Sequence, residues 1–202
     1  NQAVAILLAV AGAIAFFYAE SLLYLWTASA DIAVAAGTLL KLLVMGSVFG
    51  GLSSLPYCLQ LAHGNTRLSL SLSLAALCIY IPALWFAANA FGALGAASTW
   101  LCLHLTLLLA GAHLMHRSIL RNEQAAWYRR DLIPVFAAAF AVGFGLHAVW
   151  PDFPRNLAGL AMLSIVTVLV ATAALLGARD VRSEVWSVAL RRSHGASASR
   201  RR

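Results

Sequence analysis

Long apolar runs, separated by short gaps that hold most of the charge, set the pattern of this chain. Six runs are long enough to form helices, at about 4–26, 36–61, 68–90, 93–115, 132–150 and 157–177. A run of ~20 apolar residues suffices to cross a bilayer. Barrel strands alternate over ~10 residues, and these runs are continuously apolar, so helices are expected. One stretch dissents: Leu and Ser alternate from Leu68 to Leu74, which in water would read as a strand. In an apolar span the backbone must satisfy its own hydrogen bonds, and a helix does so locally. The helical reading also puts Ser69 and Ser73 one turn apart on the same face. The prediction is an all-α polytopic membrane protein with six transmembrane helices in residues 1–178 and a basic tail at 179–202.

Composition strengthens this reading. Hydrophobic residues make up 62% and charged residues 10% of the chain, against roughly a quarter charged in a soluble domain. The net charge of +7 and pI near 10.0 could suggest nucleic acid, but the arginines lie in the gaps and the tail, so no nucleic-acid partner is expected. Arg67 follows the second run; Arg117, Arg121, Arg129 and Arg130 follow the fourth; Arg179, Arg182, Arg191, Arg192 and 200–202 follow the sixth. The other ends of the runs hold only Lys41 and Arg155. Positive-inside bias then makes the arginine-rich side, with both ends of the chain, cytoplasmic.

The three cysteines, Cys58, Cys78 and Cys102, fall inside apolar runs without CxxC spacing and are expected to be small buried residues, neither disulfides nor metal ligands. The first run lacks a basic segment before it and reads as the continuation of something longer rather than a signal peptide. Two connecting stretches, 117–131 and 179–192, mix arginines with Trp, Tyr and Val and read as interfacial helices or as partner-docking ones. The end, SHGASASRRR, is low in complexity.

Polar positions form three stripes. Gly46, Gly50, Ser53, Tyr57 and Gln60 share one face of the second run, at spacings of four, three, four and three. Ser69, Ser73, Ala76 and Tyr80 do so on the third; Gly95, Thr99, Cys102, Thr106, Ala110 and His113 do so on the fourth. Small residues let helices approach closely and hydroxyls bond across the contact, so each stripe alone reads as a packing seam. Three on consecutive helices could instead line a polar interior. Pro56 and Pro82 each remove a backbone donor and should kink their helices, as a packing shape or as a moving part.

Glu20 and Lys41 are the charges inside the runs. Each lies on the order of 8 Å within its run at ~1.5 Å per residue, on adjacent antiparallel helices, and a charge at such a depth needs a partner. Lys41 is rotated about 140° from the Gly46–Gln60 stripe, toward Glu20, so an ion pair is expected and a substrate contact is the alternative. His63, His104, His113, His116 and His147 form no metal-ligand motif, and no Ser-His-Asp or paired-carboxylate set is evident. No enzymatic activity, cofactor or metal is expected.

The order of LPYCLQLAHGNTR (55–67), YIP (80–82), FGALGAASTWL (91–101) and a later basic segment reaching Trp127 and Asp131 resembles the polysaccharide-type flippases of the multidrug/oligosaccharidyl-lipid/polysaccharide exporter superfamily. Tyr24-Leu25-Trp26 resembles the segment that precedes the hinge pair in that family. The resemblance covers about 22–134 and implies the C-terminal portion of a two-lobe, twelve- or fourteen-helix transporter of the bacterial inner membrane. It also implies a lipid-linked glycan substrate, membrane lipids as surroundings, and polysaccharide polymerase or assembly proteins as partners. Ser53, Tyr57, Gln60, Asn65, Arg67, Ser73, Tyr80, Thr99 and Thr106 are then the candidates for a substrate pathway. A cation-coupled multidrug exporter, with Glu20 as its carboxylate, and a non-transporting membrane scaffold are the alternatives.

Overall fold

The computed structural model describes residues 2–62, 66–118, 129, 132–154 and 156–178, with no strand among them. The helices are α1 (Gln2–Phe17), α2 (Ala19–Thr27), α3 (Ala30–Ala62), α4 (Thr66–Ser118), α5 (Ile133–Val149) and α6 (Leu157–Gly177). The expected tail, Asn65, Arg155 and most of the 117–131 stretch lie outside the described residues. By length and composition three stretches can cross a membrane: Ala30–Ser54, Leu70–Gly111 and Leu157–Gly177. The bent pair α1–α2 would make a fourth, and α5 is apolar but shorter.

The first apolar run is not one straight helix. It breaks at Tyr18 (φ −109°, ψ 26°), and α2 leaves α1 at 77°. The second run begins earlier than its hydropathy suggests, at Ala30. The Ser29 hydroxyl accepts from the Ile32 N–H at 3.4 Å, and Asp31 lies in the first turn, where the helix dipole favours an acid. At α6, the Asn156 side chain accepts from the Gly159 N–H at 2.9 Å, so that helix starts where the apolar run does.

α4 folds back on itself. Its backbone is non-helical at Gly92 (φ 60°, ψ −140°), and a Cβ on Gly95 would strike the carbonyl of Ala87. A Cβ on Gly111 would lie 4.0 Å from a methyl of Leu72, whereas a straight helix would hold these residues roughly 58 Å apart at ~1.5 Å per residue. Residues 66–91 and 93–118 are therefore antiparallel legs joined at one residue. The backbone stays helical through Pro56 and Pro82; the sharp changes of direction occur at Tyr18 and Gly92.

The contacts give the topology. Gly12 faces Val48 and Gly51 faces Leu8, so α1 and α3 are antiparallel. Gly46 faces Trp100 and Gly50 faces His104, so α3 is parallel to the second leg of α4. Gly177 sits against Pro134 and Val135, which makes α5 and α6 antiparallel. The helix ends thus fall into two groups: Phe17, Ala30, Gly92, Val149 and Leu157 at one end of the bundle, and Ala62, Thr66, Ser118, Ile133 and Gly177 at the other.

Two buried clusters hold the bundle. Ala9 and Ala13 of α1, Val135 and Ala139 of α5, and Val166, Val170 and Ala174 of α6 are all fully buried, together with Tyr18 and Phe153. On each helix these residues recur every four positions, a spacing that keeps one narrow face in contact and, with small side chains, lets the backbones close up. Ala5, Val48, Leu52, Leu108 and Leu132 form the second cluster, which gathers side chains of α1, α3, α4 and the residue that precedes α5.

Gly92 adopts a conformation that a side chain resists, whereas a Cβ on Gly145 would meet nothing within 4 Å. Gly92→Ala should lower stability by about 1–3 kcal/mol, and Gly145→Ala should leave it nearly unchanged. Thermal unfolding of the two variants in the same detergent compares them directly.

Candidate functional site

Polar groups gather at the end of the bundle where α1 breaks. Lys41 Nζ donates to Glu20 Oε1 at 3.1 Å, with the two side chains 32% and 50% exposed. The arrangement depends on Gly37, one turn before Lys41 on α3. The stem of Glu20 lies directly over it, where any Cβ would collide. α2 supplies the other half of the geometry, presenting Glu20 in its first turn. A pair this open contributes at most ~1 kcal/mol in water, but in a bilayer each partner keeps the other from standing alone.

Beside it, Tyr18 fills the break. Its ring is fully buried, stacks on Phe153 at 4.6 Å and meets His147 edge-on at 5.2 Å. Among the described residues, Tyr18 Oη and His147 Nδ1 have no hydrogen-bond partner although both atoms are buried. Ser21 Oγ lies 3.5 Å from both the Pro151 carbonyl and Asp152 Oδ1, which is long for hydroxyl hydrogen bonds. The sequence reading did not single out Tyr18, Ser21, Asp152 or Phe153. Nothing in FFYAES signals a helix break, and the partners are some 130 residues away.

The three stripes face different ways. On α3, Gly46 is covered by Trp100 and Gly50 by His104, so the first part of that stripe is a packing seam. Trp100 and His104 meet at 4.3 Å, and among the described residues neither buried ring nitrogen of His104 has a hydrogen-bond partner. Cys102, Thr106 and His113, on the other stripe of the same leg, are exposed, as are Tyr57, Arg67 and Ser73. Tyr80 and Thr99 are half-buried, and the side chains of Pro56 and Gln60 lie outside the described part.

The hydroxyls in these stripes bond their own helices. Ser53 Oγ donates to the Gly50 carbonyl at 2.7 Å, Thr99 Oγ1 to Gly95 at 2.8 Å, and Thr106 Oγ1 to Cys102 at 2.7 Å. The backbone thus occupies the groups that were expected to bridge helices. The cysteines also differ from expectation: Cys58, Cys78 and Cys102 are free but exposed rather than buried. They sit on the outward faces of α3 and α4, which the uniform hydropathy of those runs does not distinguish from inward ones. Among the described residues, no group of three His, Cys, Asp or Glu side chains is placed to hold a metal.

No protein-family profile, curated protein or solved structure matches the chain.

The Glu20–Lys41 pair predicts a charge-reversal pattern. Glu20→Lys and Lys41→Glu should each lower the unfolding temperature, by the larger margin in lipid nanodiscs. The double exchange should restore most of the loss, because the two side chains meet directly. Unfolding followed in detergent and in nanodiscs measures both effects.

Proposed function

We propose that the chain is the C-terminal portion of an inner-membrane flippase that moves lipid-linked oligosaccharides outward by alternating access. The observation that carries the membrane part of this reading is the outer face of α4. Leu70, Leu74, Leu77, Ile79, Ile81, Trp85, Phe86 and Phe91 are all exposed along its first leg and turn. A soluble protein rarely leaves so long an apolar face uncovered, whereas hydrocarbon covers it at no cost. α3 and both legs of α4 then cross the bilayer, α1–α2 crosses as a broken span, and α5 and α6 complete six crossings. The grouping of helix ends agrees with this path, and the arginine bias makes the end that holds Ala62 and Thr66 cytoplasmic.

The transport part rests on the resemblance of 55–101 to the polysaccharide-type flippases. That stretch forms most of the α3–α4 unit, which packs on the bundle through α3 and leaves the first leg of α4 at the outer edge. Tyr57, Arg67, Ser73 and Thr106 are open on this unit, available to a second lobe and to a glycan between lobes. A cation-coupled exporter would need a carboxylate free to exchange its ion. The candidate Glu20 is held by Lys41, which favours the flippase reading.

The test uses the complete protein in proteoliposomes with a fluorescent lipid-linked oligosaccharide, scoring protection of the sugar from an added glycosidase. Translocation above empty vesicles is expected, and it should survive Glu20→Gln. No translocation alongside an active control flippase would overturn the reading. Drug efflux lost in Glu20→Gln would transfer it to the cation-coupled alternative.

A further inference from the structure

The 77° bend between α1 and α2 has no cause in its own sequence. Sharp helix kinks are almost always found at Pro, at Gly/Ser pairs or at π-bulges. Residues 15–20, AFFYAE, contain neither Pro nor Gly. They are good enough helix formers to continue the run, and the apolar pattern reads straight through them.

The bend also gives up backbone bonds. The flanking bonds survive, Tyr18 N–H to the Ile14 carbonyl at 2.9 Å and Leu22 N–H to the Tyr18 carbonyl at 2.8 Å. Among the described residues, none from Ala19, Glu20 or Ser21 reaches back across the break. No side chain caps the start of α2 in compensation. A straight helix would recover all three bonds, and in apolar surroundings their loss is costly.

Contacts from a distant part of the chain hold the bend instead. Phe153, itself buried, stacks on Tyr18. Asp152 and the Pro151 carbonyl stand over Ser21, which puts a carboxylate near the positive end of the α2 dipole. All three belong to the connection between α5 and α6, whose far end is fixed by the Asn156 cap on α6.

We propose that the α1–α2 break is a two-state hinge. Pro151, Asp152 and Phe153 latch it in the bent form, and it straightens into one continuous helix when that connection lifts off Tyr18 and Ser21. The hinge follows from the backbone ladder and the latch contacts, and it does not require the flippase reading. Straightening would carry α2 away from the first turns of α3 and break the Glu20–Lys41 contact.

Spin labels measure the change. In the complete protein with Cys58, Cys78 and Cys102 replaced by Ser, the labels go on Val4→Cys and Trp26→Cys, both exposed positions. Rise per residue and the bend angle give backbone separations of roughly 26 Å bent and roughly 33 Å straight. Pulsed dipolar spectra in nanodiscs should show the shorter distance dominating. Phe153→Ala should raise the longer population severalfold, and the milder pair Ser21→Ala with Asp152→Asn should raise it in the same direction. A dominant long distance before any latch change would overturn the proposal. So would an unchanged short distance in both folded variants, which would mean that the bend is held elsewhere.

Discussion

Close approach of helices along faces that repeat every four residues is the constraint on which this fold depends. Ala5, Ala9 and Ala13 on α1, Val135, Ala139 and Gly143 on α5, and Val166, Val170 and Ala174 on α6 are buried at that spacing. On the membrane reading no water drives these faces together, so contact would come from packing alone, which small or compact side chains permit. Glycines of α1 and α3 extend the same rule to larger neighbours. Gly12 of α1 receives Val48, while Gly46 and Gly50 of α3 receive Trp100 and His104. α1 holds the assembly together, touching α5 and α6 on one side and α3 on the other.

The existence of the helices and most of their limits could be read from the sequence, because a long apolar run in lipid has few alternatives to a helix. The fold-back near 91–92 could be read from a gap that keeps no charge, only Phe91 and Gly92. The side of each helix that packs was harder to read. In α1, α5 and α6 nearly every position is apolar, so the alanines and valines that face inward do not stand out. The polar stripes did stand out, and they drew attention to residues whose hydroxyls the helix backbone already occupies. The depth of Glu20 and Lys41 pointed to each other because membrane charges are rare enough to be matched by position. The Tyr18 cluster was hidden for the opposite reason. Its residues come from two ends of the chain, and the helix break they stabilise is imposed by packing, not by local preference.

The bundle thus contains two kinds of interruption. At Gly92 the backbone itself demands glycine, and the reversal is built into the chain. At Tyr18 the residues would accept a continuous helix, and the interruption depends on what lies against it. The first kind sets the path of the fold; the second makes one segment of it conditional. Glu20 stands two residues from the conditional break, so the ion pair reports on the state of the bend as well as joining α2 to α3.

The single-residue reversal in α4 bears on how the protein is made. With only Gly92 outside helical geometry, there is no polar loop between the legs for a ribosome-bound insertion channel to hold while the first leg settles. On the membrane reading, legs joined this closely would have to enter as a pair, since no polar segment on the far side could anchor the first one alone. A lengthened, charged tip would supply such an anchor and let the two legs enter one after the other.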